Sequence, residues 1–216
     1  MLDIYLIRHA ESTGNIQPHI IGGRSNHLQL TAKGEKQAEL LGKRLITQGF
    51  SFDKVYASVA VRAIETARIA CNQMDFPVGE IKIQPDIVEL CQGEWTGRLR
   101  EETYTEQVMK IIHEDPWNFK APGGESQKEV EERIFDWLEM EILPHFEQNL
   151  KIAIFSHGVA IKCLVRKITE ANPAMTYRIF IENTSITQFC FDERGWHLRR
   201  LNDYGHLEML TQDLEK

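Results

Sequence analysis

The sequence predicts an α/β fold: a three-layer sandwich on a mostly parallel central sheet, with a helical insertion beside it. Three observations carry that expectation. Continuous apolar runs, "LDIYLI", "KVYAS" and "KIAIF", have the length of strands and no polar face, as strands covered on both sides do. Stretches of helical periodicity follow them at the spacing of βαβ units. The alternation lapses from about Leu99 to Phe146, where two helical patterns succeed each other without a strand.

Taken in order, "LDIYLI" is the first strand. Thr31 is placed to cap a helix running to about Gln48, with Ala38, Leu41 and Leu45 on one face and Gly49 to close it. "KVYAS" then feeds a helix whose small face is Val59, Ala63, Ala67 and Ala70, and "GEIKIQPDIVEL" is expected to return extended. The insertion, at about 94–146, is interrupted by "APGGES". Ser126 followed by Glu129 is a capping box, and Val130, Ile134, Trp137 and Leu138 form the buried stripe of the helix it opens. "KIAIFSHG" resumes with a strand and a helix from about Val159 to Thr169. "RIFIEN", "ITQFCF" and "WHLRRLN" are expected as three late strands, the last two a hairpin around Glu193, Arg194 and Gly195. No linker divides the chain, so residues 1–216 are expected to form one domain with a helical cap.

Composition narrows the classes of function. A chain of 216 residues that is 42% hydrophobic and 26% charged can bury a sizeable core. The N-terminus enters a strand without a basic or long apolar leader, and no run approaches the roughly 18 apolar residues of a membrane span, so a cytoplasmic protein without membrane contact is expected. Cys71, Cys91, Cys163 and Cys190 form no C-x-x-C pair, which indicates neither a disulfide framework nor zinc. Between Glu94 and Leu150 there are 14 acidic and 6 basic residues, a net of −8 that leaves +1 for the rest. No basic stripe is visible, so nucleic acid is not an expected partner.

The chemistry lies where the strands end. Ligands of open α/β sheets bind outside the carboxyl ends of the strands, and each early strand delivers polar residues there. Arg8 and His9 follow the first, Ser58 and Arg62 the second, Glu89 the third, and Ser156 and His157 the fourth. Two arginines and a histidine at buried ends need a counter-charge, and with a second histidine and one carboxylate they make a set suited to phosphate. The eight histidines show no metal-ligand spacing, and "IFSHG" lacks the G-x-S-x-G of a hydrolase elbow, so neither a metal site nor a serine triad is expected.

These segments together resemble the histidine phosphatase superfamily, also called the phosphoglycerate mutase-like family. "RHAES" resembles its R-H-G motif, "LTAKGEKQA" its L-T-x-x-G-x-x-Q-A helix entry, "ASVAVRAIETA" its R-A-x-x-T-A segment, "VELCQGEWTG" the segment with its acid, and "SHG" the segment with its second histidine. The resemblance implies a nucleophile at His9, phosphoryl-binding groups at Arg8, Arg62 and His157, a proton donor at Glu89, and a phosphate pocket that includes Asn15, Gly22 and Gly158. It implies no cofactor. Ala10 stands where the motif usually has glycine; a negative φ is expected there. Cys91 and Gln92 fall at variable, pocket-shaping positions.

The residues themselves fit those roles. Phosphoryl transfer needs an in-line nucleophile and positive donors around the phosphoryl oxygens. Neutral His9 can attack phosphorus, Arg8 and Arg62 supply planar forks, and His157 is expected to act as an imidazolium donor. Glu89, flanked by apolar Val88 and Leu90, is expected to have its pKa pushed above the usual carboxylate value. A metal-independent phosphomonoesterase acting on a small phosphorylated metabolite through phosphohistidine is the leading expectation. A phosphoglycerate mutase would need more basic residues in the insertion, where Arg98 and Arg100, then Lys110 and Lys120, are the candidates. A non-catalytic phosphate-binding module is disfavoured because His9, Glu89 and His157 are all present. No sequence feature identifies an oligomer interface.

Overall fold

The first strand, β1 (Leu2–Arg8), is apolar on both faces because both are covered. A computed structural model describes residues 1–208; residues 209–216, within the expected single domain, lie outside the described residues. Strands β2 (Lys54–Ser58), β3 (Lys82–Gln84), β4 (Leu150–Ser156), β5 (Ile186–Asp192) and β6 (Gly195–Asp203) join β1 in one sheet of order β3-β2-β4-β1-β5-β6. The first four strands are parallel, and β5 and β6 add an antiparallel edge.

Alternation along β1 divides the core in two. Leu2, Ile4 and Leu6 pack with α5 (Gln127–Trp137) and α6 (Gly158–Ile168) through Val130, Ile134, Trp137, Ile161 and Leu164. Tyr5 and Ile7 face the other way, onto α1 (Ala32–Thr47) and α2 (Val61–Gln73), through Leu41, Leu45, Ala67 and Ala70. Each fully buried Leu or Ile contributes about 1.5–3 kcal/mol over exposure, so the three layers follow from the pattern. Thr31 Oγ1 accepts from Gly34 N–H at 3.0 Å as the N-cap of α1, and Gly49, at φ +70°, follows its end. Ser126 and Glu129 form both bonds of their capping box.

Three expectations need correction. "GEIKIQPDIVEL" holds only the three residues of β3, flanked by 3₁₀ turns at Val78–Glu80 and Pro85–Ile87. Pro85 has no N–H for a ladder, and the Gln84 side chain accepts the Asp86 N–H instead, at 3.4 Å. "RIFIEN" is not a strand. Ile179 and Ile181 are buried as an alternating pattern demands, yet the backbone pairs with side chains: Ile181 O accepts from Arg8, and Glu182 N–H donates to Asn202 Oδ1. The helical stretch also divides by packing. The short helix α3 (Arg100–Thr103) and α4 (Glu106–Glu114) adjoin a separate cluster of Ile21, Trp95, Ala121, Tyr104, Val108 and Phe119, whereas α5 belongs to the main core. No described helix is long and apolar enough to cross a membrane.

Candidate active site

The carboxyl ends of β1, β2 and β4 deliver Arg8, Ser58 and Ser156 to one place. Arg8 and Ser156 are in register, and His9 N–H continues the ladder to Ser156 O at 2.9 Å. Arg62 rises from the first turn of α2, His157 is the N-cap of α6, and Glu89 reaches in from the loop after the Pro85–Ile87 turn.

His9 is buried, with Nδ1 2.7 Å from Ala10 O. A carbonyl oxygen only accepts, so the proton sits on Nδ1 and the lone pair on Nε2. Arg62 Nε donates to that lone pair at 3.2 Å. Burial first, then the charges of Arg62 and Arg8, hold the His9 pKa well below its ordinary value, and the ring is neutral.

His157 is neutral too, which corrects the expected imidazolium. Arg62 Nη2 donates to its Nδ1 at 3.1 Å, so the proton lies on Nε2, facing Ser58 Oγ at 2.8 Å. Burial and then Arg62, His9 and Arg8 lower its pKa. A third cation is disfavoured beside two arginines.

Arg62 is buried and nearly saturated: its remaining donors go to Ser25 O at 2.9 Å and Arg24 O at 3.1 Å. Arg8 donates from Nη1 to Ile181 O at 2.6 Å, while its buried Nε has no partner among the described residues. Burial lowers the pKa of both guanidinium groups, and Glu89 opposes that effect.

Glu89 sits in a polar setting rather than the apolar one expected. Its Oε1 accepts from Leu90 N–H at 2.9 Å and Ala160 N–H at 3.1 Å, and Oε2 accepts from Val159 N–H at 3.2 Å. The carboxylate thus closes the N-terminus of α6, where unpaired N–H groups and the helix dipole favour an anion. It makes no ion pair with Arg8 or Arg62 among the described residues.

These groups surround a cavity of about 260 Å³ whose wall includes Arg8, His9, Asn15, Gly22, Arg62 and Glu89. Asn15 Oδ1 accepts from Ser12 N–H and Oγ–H at 2.9 and 3.0 Å, which leaves its amide N–H₂ for the cavity. His157 and Gly158 stand behind the wall. An ideal Cβ on Gly158 would lie 3.5 Å from Arg8 Nε. Of the insertion's basic residues, Arg100 lines this cavity, Lys120 pairs with Glu129, and neither Arg98 nor Lys110 borders it. Among the described residues no three His, Cys, Asp or Glu side chains gather to hold a metal.

The spacing of the sequence motifs has a physical basis. In "LTAKGEKQA", Thr31 caps α1, Gln37 Oε1 accepts from Glu11 N–H at 2.8 Å, and a Cβ on Gly34 would fall 2.0 Å from Glu11 O. The whole helix entry therefore clamps the loop after His9. In "RAIETA", Thr66 Oγ1 accepts from Ala10 N–H at 2.9 Å and donates to Arg62 O at 2.6 Å, tying the two loops together. Ala10 takes no positive φ. Sequence reasoning missed the supporting roles of Thr66, Ser58 and Asn183, whose Nδ2 donates to His9 O at 2.8 Å. Thr66 and Ser58 lay inside segments already singled out; Asn183 carried no signal.

Known proteins share this fold. A "probable phosphoglycerate mutase GpmB" of Salmonella typhi is 29% identical, with 99% of this chain and 98% of that one covered. A phosphoserine phosphatase of Entamoeba histolytica, solved with 3-phosphoglyceric acid, superposes with a TM-score of 0.81 at 27% identity over 96% of this chain and all of that one. A structure described as a putative alpha-ribazole-5'-P phosphatase of Escherichia coli gives 0.78 at 25% identity, covering 94% and 97%. The family model of the histidine phosphatase superfamily, branch 1, matches residues 4–204, and the chain belongs to that superfamily.

Proposed function

We propose that the protein hydrolyses phosphomonoesters through a phosphohistidine on His9. The observation that carries this reading is the state of the His9 ring: Nδ1–H is committed to Ala10 O, and the Nε2 lone pair is offered to the cavity between Arg62 and Arg8. An incoming phosphoryl group replaces the Arg62 Nε–H contact. Nε2 attacks phosphorus, the ester P–O bond breaks, and the proton that the ester monoanion brings passes through Glu89 to the departing alkoxide. A water then attacks the phosphorus, Glu89 relays its proton to the orthophosphate formed, and the P–N bond breaks to leave neutral His9. Arg8 Nε, Arg62 and the Asn15 amide hold the phosphoryl oxygens, supplying the positive charge that a metal would otherwise bring.

Hydrolysis is favoured over mutase action by charge. Keeping a doubly phosphorylated intermediate calls for cations from the insertion. Only Arg100 among its candidates reaches the cavity, while Arg24 and Arg133 are spent on Glu125. The mutase reading is supported by the names of relatives such as the Salmonella protein.

Brief exposure to ³²P-labelled substrate with alkaline quenching should leave label on His9, and His9→Ala should abolish label and turnover. Label on a serine, or an active His9→Ala variant, overturns the reading. With 3-phosphoglycerate and 2,3-bisphosphoglycerate together, released orthophosphate should exceed isomerised phosphoglycerate; the reverse makes the protein a mutase.

A further inference from the structure

The catalytic cavity adjoins a second chamber. Leu90, Gln92, Arg100 and Val159 line both, and the chamber extends for about 470 Å³ beneath the insertion. Its walls are mostly aromatic and aliphatic. Trp95 and Tyr104 meet edge to face at 5.6 Å, Trp95 and Phe119 are also 5.6 Å apart, and Met109 and Ile112 join them. Arg100 stands at the junction with its guanidinium over the Tyr104 ring, 5.6 Å from the centroid.

Thr176 and Lys162 are two of the polar groups left unspent in this chamber. Thr176 lines it and is 3% exposed, yet its hydroxyl has no partner among the described residues. A buried hydroxyl without a partner is costly, and a group left that way in a native site needs an explanation. Lys162, on α6 one turn from Val159, also lines the chamber and makes no hydrogen bond or ion pair among the described residues. Burial first, then Arg8, lowers its pKa, while Glu89 and Glu182 work the other way. A small, highly charged three-carbon ester would leave these apolar walls unfilled and both polar groups unpaired.

We propose that the alcohol half of the substrate is a ring-bearing apolar body that fills this chamber and ends in a carboxylate or similar anionic acceptor held by Lys162 and Thr176. The assignment rests on the phosphomonoesterase reading above and narrows its substrate class. The ring stacks among Trp95, Tyr104 and Phe119, as aromatic pairs do at such distances. The distal acceptor gives Lys162 a counter-charge and Thr176 a partner. Phosphate is gripped at one end and the acceptor at the other, so the scissile bond is positioned across Glu89.

Primary alkyl phosphates keep the leaving alkoxide comparable while the body is varied: propyl phosphate, 3-phenylpropyl phosphate, its para-carboxylate and 3-phosphoglycerate. kcat/KM should rise about 10- to 100-fold from propyl to phenylpropyl, the usual reach of an apolar pocket, and rise again with the carboxylate. Met109→Trp, which fills the chamber, should shrink the first preference. Lys162→Met and Thr176→Val should each shrink the ratio of carboxylated to plain phenylpropyl substrate. Equal kcat/KM for propyl and phenylpropyl phosphate overturns the proposal, as does a carboxylate preference that survives both variants. Calorimetric titration of the His9→Ala protein with the same esters tests the chamber apart from turnover. Tighter binding of phenylpropyl than propyl phosphate there, with no hydrolysis by the native protein, upholds the chamber and rejects the hydrolytic reading; equal binding rejects the chamber.

Discussion

Glu89 holds its two oxygens on the N–H groups of Leu90, Val159 and Ala160, so its position is fixed by backbone rather than by a flexible cation. That separates its placement from its chemistry, and the leaving group can tell them apart. An alkyl phosphate departs as a basic alkoxide and needs a proton, whereas p-nitrophenolate leaves unaided. Glu89→Gln should slow phosphorylation of His9 by an alkyl phosphate by about 10² to 10⁴, and by p-nitrophenyl phosphate far less, in single-turnover rates. An equal loss for both would make Glu89 a structural carboxylate. Arg8, His9 and His157 could be placed from the chain because strand ends mark them, and Arg62 and Glu89 because motif spacing does, although β3 ends five residues before Glu89. Asn183 could not, since it supports His9 through a backbone carbonyl 174 positions away. The neutral state of His157 was equally hidden, because it depends on which ring nitrogen Arg62 addresses.

Helix α1 acts on the site without touching substrate. Its first turn presses Gly34 so close to Glu11 that a methyl group there would overlap the carbonyl. Gly34→Ala should cost about 1–3 kcal/mol in denaturant unfolding, the usual range for overpacking, and raise KM because the loop bearing Ser12 and Asn15 must move. Unchanged stability and KM would mean the helix slides freely. Elements with strong periodicity and caps, α1 and α5 above all, were legible. Alternation misled at Arg178–Asn183, where Ile179 and Ile181 are buried as in a strand while the backbone serves Arg8 and Asn202. Pattern reports which side chains are buried; it says nothing about where the N–H and C=O groups go.

Across the molecule, three buried histidines are kept neutral: His9, His157 and His206, the last lowered to about 4 by burial first and then Arg44. In the unfolded chain each takes a proton near its ordinary value, about 6.5. Below that pH the unfolded state binds more protons, so stability falls as pH drops from about 6.5 toward the folded values. The slope should be about 1.4 kcal/mol per pH unit for each group. In phosphate-free buffer Tm should therefore decline from pH 6.5 to 4.5, and His206→Gln, outside the cavity wall, should make the decline shallower by about one proton; parallel profiles would sink that account. Arg8 and Arg62 stand together at the wall of the cavity. Orthophosphate, the proposed product, is an anion suited to them, and a ligand at a hundredfold excess over its Kd adds about 2.7 kcal/mol to folding. The resting protein is then the fragile form and the product-loaded protein the durable one, so its resistance to proteolysis should follow the surrounding phosphate concentration, with scarcity of phosphate shortening the protein's lifetime.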